Sequence, residues 1–218
     1  MKKLFAIMFS VVFLFLNSAN AEKGINVGIS GQIGVFEASA TETEDTEKSR
    51  EDDAMAAFGY VSVFLEKDLG QYITVGVDYV PSALESETVD ETRDDLLATA
   101  DGAASSVTQK VQVDFEDLTT FYVALNFNEN FYLKAGIAQV DLITNETLGT
   151  GSTYGNASLD GTVLGAGYNK NFDNGMFVRA EGTYQEFDGV TINGSGDTSV
   201  TADEINGVSG KISIGKSF

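Results

Sequence analysis

Hydrophobicity in this chain alternates residue by residue, in segment after segment. That period of two restricts it to strands with one apolar and one polar face. Eight such segments are read, over about 24–36, 56–67, 71–80, 110–127, 131–142, 159–171, 175–188 and 205–218. In the first, Ile25, Val27, Ile29, Ile33 and Val35 fall on one side, and Asn26, Ser30 and Gln32 on the other. In 131–142, Phe131, Leu133, Ala135 and Ile137 oppose Lys134; in 175–188, Met176, Val178, Ala180 and Tyr184 oppose Arg179, Glu181, Thr183 and Gln185. The connections alternate in length. Asp68-Leu69-Gly70, Asn128-Glu129-Asn130 and Asp173-Asn174-Gly175 are short and carry the residues that tolerate tight hairpins. The stretches at about 37–55, 81–109, 143–158 and 189–204 are long and polar, and 90–100 has helix-forming composition. The pattern predicts an all-β fold: an eight-stranded antiparallel up-and-down barrel, with short turns at one end and long loops at the other.

Periodicity alone leaves open which face is inside. A soluble barrel buries its aliphatic face and could hold an apolar ligand; a transmembrane barrel turns that face to lipid and lines its lumen with polar groups. The polar face here is rich in Gly, Ser and Thr with sparse charges of both signs, which suits a crowded interior better than a watered surface. Most of the acidic excess lies in the long loops. Aromatic residues also gather at the two ends of the aliphatic face: Phe127, Phe131, Tyr168 and Phe218 near the short turns, and Tyr79, Phe115 and Tyr184 near the long loops. Two such girdles mark membrane interfaces. Strict alternation puts Asp117 on the lipid face, so a bulge or a rim position is required there, and it puts Lys216 outward near the short-turn end.

The start of the chain gives a location. Met1-Lys2-Lys3 precedes an apolar run from Leu4 to Leu16, and Ala19-Asn20-Ala21 forms an A-x-A pattern. That is the grammar of a secretory signal peptide cleaved near Ala21, and the run is shorter than the roughly 20 residues of a spanning helix. The expected organisation is a signal peptide over 1–21 and one barrel domain over 22–218, delivered to the outer membrane of a Gram-negative bacterium.

With these features, the chain resembles the small eight-stranded outer-membrane barrels, the OmpX/Opa-type and OmpA-barrel group, without a periplasmic domain. The last stretch is similar to that family's C-terminal assembly signal: Gly210, Ile212, Ile214 and the terminal Phe218 match, while Lys216 stands where the family usually has an apolar residue. The resemblance implies reading by the barrel-assembly machinery during biogenesis, and outer-membrane lipid and lipopolysaccharide as surroundings. Enzymes of similar architecture, the lipid A palmitoyltransferase and deacylase types and an outer-membrane protease, use His chemistry.

This chain has no His and no Cys. Ser-His and Cys-His catalysis, zinc-thiolate sites, Fe–S clusters and disulfides are therefore excluded, and no nucleophile and base are seen at a catalytic spacing. No catalytic residue, no metal ligand set and no cofactor are expected. A net charge of -20 argues against nucleic acid as a partner. The residues with the most chemistry are the charges predicted inward: Glu66, Asp78, Asp114, Glu116, Lys134, Arg179, Glu181 and Lys211. They read either as a static network satisfying buried polar groups or as a gate for small solutes. The loop acids, at 37–53 and 85–101, read as a solvated self-repelling surface or as a place for divalent cations; they lack EF-hand spacing. The expected role is structural or cell-surface interaction by a monomeric barrel with a filled polar lumen. A narrow gated pore and a soluble ligand-binding barrel are the alternatives.

Overall fold

The computed structural model describes residues 24–44, 47–96, 104–195 and 198–218. The signal-peptide stretch and the loop tips at 45–46, 97–103 and 196–197 lie outside the described residues. Twelve strands follow in chain order: β1 (Ile25–Glu44), β2 (Glu47–Asp68), β3 (Ile73–Tyr79), β4 (Leu84–Glu85), β5 (Val89–Leu96), β6 (Ala104–Asn126), β7 (Phe131–Leu148), β8 (Ala157–Asn171), β9 (Met176–Phe187), β10 (Val190–Asn193), β11 (Thr198–Ala202) and β12 (Ile205–Ser217).

Eight of them form a closed ring: β1, β2, β3, β6, β7, β8, β9 and β12, each hydrogen-bonded antiparallel to its sequence neighbour in the ring. The ring shuts where β1 meets β12, from Asn26 opposite Ser217 to Glu37 opposite Asn206. Gly70 and Gly175, in two of the short turns, hold φ of 82° and 81°, a region that suits glycine.

The long connections are not open loops. β1 and β2 stay paired up to Glu44 opposite Glu47, so the stretch at 37–55 is mostly hairpin. β10 and β11 form another ribbon, and β11 also pairs with β1 from Ala40 to Glu44. Residues 90–96 belong to β5, paired with β6, rather than to a helix; 97–100 lie outside the described residues. Above the wall few of the described side chains are buried, so these strands carry little apolar alternation and read in sequence as polar loop.

The lumen is filled in two layers. The lower layer is polar and charged, with Asn26, Ser30, Ser62, Glu66, Asp78, Lys134, Glu181, Lys211 and Ser213 all buried. The upper layer is apolar: Phe58, Val80, Leu84, Leu118, Val140, Leu142, Leu159, Val163, Phe187 and Ile205 form one cluster, with Phe36 and Phe115 against it. Several inner rings lie flat over glycines of a neighbouring strand. Tyr132 covers Gly167, Phe64 covers Gly28 and Phe177 covers Gly215, each too closely for a Cβ to fit. The outer face is the aliphatic one: Ile33 is 70% exposed, Ile212 65% and Ile137 64%. An apolar exterior around a charged interior is the transmembrane arrangement, and it overturns the soluble alternative, whose faces would be reversed.

One irregularity alters the alternation. Asp117 has a φ of 56°, and the pairing of β6 with β7 shifts between Glu116 and Thr119. The bulge that Asp117 required is there, with a consequence that strict register hides. Below it, Leu118 and Tyr122 face inward; above it, Phe115 pairs with the buried Leu142 and also faces inward. Three sequence assignments are therefore corrected. Phe115 is no girdle residue but a core ring, 5.9 Å from Phe58 in an edge-on contact. Asp114 and Glu116 lie on the opposite, outer face and take no part in the lumen. Asp114 is covered there by Gln112 and Asn145, which donate to its carboxylate, and Glu116 is exposed.

Candidate functional site

The remaining six predicted charges converge in the lower lumen. Strand pleating explains why. Glu66 on β2, Asp78 on β3, Lys134 on β7, Arg179 and Glu181 on β9, and Lys211 on β12 each sit in the inward register of their strand. Their neighbours at two-residue spacing are buried as well: Phe64, Val80, Tyr132, Phe177, Thr183 and Ser209.

Two carboxylates organise the cluster. Glu66 takes both ends of the Arg179 guanidinium, Nη1 to Oε1 at 2.6 Å and Nη2 to Oε2 at 3.0 Å. Tyr122 donates its hydroxyl to Oε1 at 2.6 Å, and the Asn26 amide donates to Oε2 at 3.4 Å. Glu181 receives Lys134, the Tyr132 hydroxyl and, at 3.3 Å, Lys211. Lys211 reaches on to Asp78 Oδ2 at 2.9 Å. Three acids and three bases thus close on one another in a low-dielectric space, which is what buried ions require. The guanidinium of Arg179 also lies 5.4 Å from the Phe64 ring and 5.2 Å from the rings of Tyr132 and Phe177, within cation–π range.

Sequence reading missed the neutral members: Asn26, Tyr122 and Tyr132. Their signal was present, because each stands on the polar face of its segment: Tyr132 two residues from Lys134, Asn26 opposite Glu66, and Tyr122 opposite Gly76 and Gly136, which lie two residues from Asp78 and Lys134.

Little free space remains. A polar cavity of about 20 Å³ lies beside Tyr60, Lys134, Gln185 and Lys211. An apolar one of about 30 Å³ lies above, among Phe36, Phe58, Phe115 and Phe187. Either has room for little more than a water molecule.

The other predicted residues stay on the outer wall. Phe127, Phe131, Tyr168 and Phe218 are exposed near the short turns, and Phe131 meets Tyr168 edge-on with centroids 5.0 Å apart. Near the opposite rim, Tyr184 donates to Asn206 at 2.6 Å and Tyr79 to Asp117 at 2.6 Å. Gly210, Ile212 and Ile214 face outward on β12, and Lys216 stands over the Phe218 ring at 5.2 Å. Among the described residues no group of three or more potential ligands is placed to hold a metal ion.

No family model matches the chain, and no curated protein matches it. Solved structures do. The outer membrane protein OprG from Pseudomonas aeruginosa superposes with a TM-score of 0.54 at 13% identity, over 91% of this chain and 98% of that one. The outer membrane protease OmpT from Escherichia coli gives a TM-score of 0.53 at 10% identity, over 92% and 99%. This chain has the fold of an outer-membrane β-barrel. At such identities the likeness is one of architecture.

Proposed function

We propose that the protein is a non-catalytic barrel of the Gram-negative outer membrane, with its apolar wall in lipid and its acidic hairpins displayed outside the cell. In this reading the lumen is a structural core and not a conduit. The observation that carries it is the two-layer filling, in which balanced ions and aromatic rings line cavities of about 20 and 30 Å³. A chain without His or Cys, whose buried charges are spent on one another, has little with which to run a reaction. The surroundings that fit are outer-membrane lipid and lipopolysaccharide. The C-terminal strand ending in Phe218 is proposed as the segment read by the barrel-assembly machinery, and the barrel as a monomer.

The test has three parts. Fractionated outer membranes, run in SDS unheated and boiled, give a mobility shift if the barrel is closed. Protease added to whole cells cuts within the hairpins if they face outward. Planar bilayers carrying the purified barrel show no steady unitary conductance if the lumen is shut. Steady single-channel steps overturn the closed-core reading in favour of a narrow pore, and recovery in the soluble fraction overturns the location.

A further inference from the structure

The ring is complete at its base but not along its whole height. β3 ends at Tyr79, and the last pairing of β2 with it is Val63 opposite Tyr79. From there up, β2 continues from Ser62 to Glu47 paired only with β1. Across the gap, β4 and β5 are paired only with β6. Among the described residues, no ladder joins β2 to β4 or β5. Two strand edges therefore face a common slot. Along an edge, every second residue aims its N–H and C=O outward, with no strand to receive them. At the foot of the slot Phe58 of β2 meets Phe115 of β6 edge-on, with ring centroids 5.9 Å apart.

The flanks of this slot are acidic. Residues 47–57 and 84–96 contain ten Asp and Glu against three Lys and Arg. Like charge on both flanks opposes their direct pairing, and it opposes a second copy of this chain. An extended segment of opposite charge meets neither obstacle. We propose that the upper edge of β2, residues 47–57, is a strand-addition site for an extended basic polypeptide segment. Main-chain hydrogen bonds to β2 supply the contact, and the acids of both flanks select for Lys and Arg. The inference rests on the proposed outward display of the hairpins for its biological setting, but not for the binding itself.

The test uses the full-length mature barrel refolded in detergent micelles, where location plays no part. Three labelled peptides are titrated: one of alternating lysine and valine, the same peptide N-methylated at alternate amides along one edge, and one of alternating glutamate and valine. Binding is read by fluorescence anisotropy, and amide hydrogen exchange is followed along the chain. The expected result is that the lysine peptide binds at least about tenfold tighter than either of the others. New amide protection should be confined to 47–57. Equal binding of the N-methylated peptide reduces the effect to bulk charge and overturns the proposal. So does protection mapping to other hairpins, or no binding by the lysine peptide. A failed fractionation experiment with a positive titration removes the setting and leaves the site.

Discussion

Arg179 and Glu66 face each other across the lumen, from β9 to β2, in a two-pronged contact of 2.6 and 3.0 Å between residues 113 apart in sequence. The Glu66 side chain is 1% exposed and that of Arg179 12%, so water does little to soften the loss of either partner. Arg179→Met leaves a buried carboxylate and Glu66→Leu a buried guanidinium, and each is expected to cost about 3–5 kcal/mol of stability. The double variant should cost clearly less than the two added together. Urea unfolding in lipid vesicles gives all three values, and simple additivity would show that the pair is not coupled.

The outer wall makes a depth-dependent prediction. Ile29 is 55% exposed at mid-height on β1, and Val35 stands near the upper edge of the same apolar row. A charge at mid-bilayer costs about 2–4 kcal/mol, falling to about 0–1 kcal/mol near the interface. Ile29→Arg should therefore impair refolding into vesicles far more than Val35→Arg does. Equal tolerance of the two would mean that the wall does not sit in lipid at this register.

The bulge at Asp117 is expected to act as a phase shifter for the strand above it. Deleting Asp117 removes the one extra residue, so plain alternation then runs from Leu118 inward through Glu116 outward to Phe115, which stays inward opposite Leu142. The chain has no tryptophan, so Phe115→Trp is a clean reporter. Its emission should be spared by brominated lipid both with Asp117 present and with it deleted, and quenching in the deletion variant alone would show that more than one residue sets the phase. Quenching in both backgrounds would place the ring outside from the start.

Tyr132 owes its position to Gly167, over which its ring lies too closely for a Cβ. Gly167→Ala should push the ring off its seat and away from Glu181, at about 1–3 kcal/mol, the usual cost of overpacking. Adding Tyr132→Phe removes the hydroxyl but not the ring, so it should not rescue the alanine variant, whereas Tyr132→Ala should relieve the clash. Unfolding midpoints across these combinations separate crowding from loss of the hydrogen bond.

How far the sequence could be read depended on what each residue faces. Where one side of a strand meets lipid and the other a polar lumen, alternation is strong. Glu66, Asp78, Lys134, Arg179, Glu181 and Lys211 could be placed inside from their numbers alone. Asp117 and Lys216 carried charges that contradicted their parity, and Asp117 marked the bulge. The inversion of Asp114, Phe115 and Glu116 above it could not be read, because one extra residue reverses every later side chain while leaving the composition unchanged. Tyr122 and Tyr132 escaped notice because an aromatic on a polar face looks like an exception until the carboxylate it serves is in view. The hairpins above the wall bury few of their described side chains, so little imposed a period on them.

The closure of β1 on β12 joins the opening of the described chain to its last residues, with Asn26 opposite Ser217. Such a contact is as non-local as this length allows, and non-local pairing forms late and slowly. Until then the cylinder is a sheet with two sticky margins, and its ions and rings lie open to water. No shorter translation product can rehearse the finished interior, because Lys211 and its strand are the last of the ring to emerge. The barrel must be kept from aggregating as a whole, unfolded polymer, and commit to its shape in one late event.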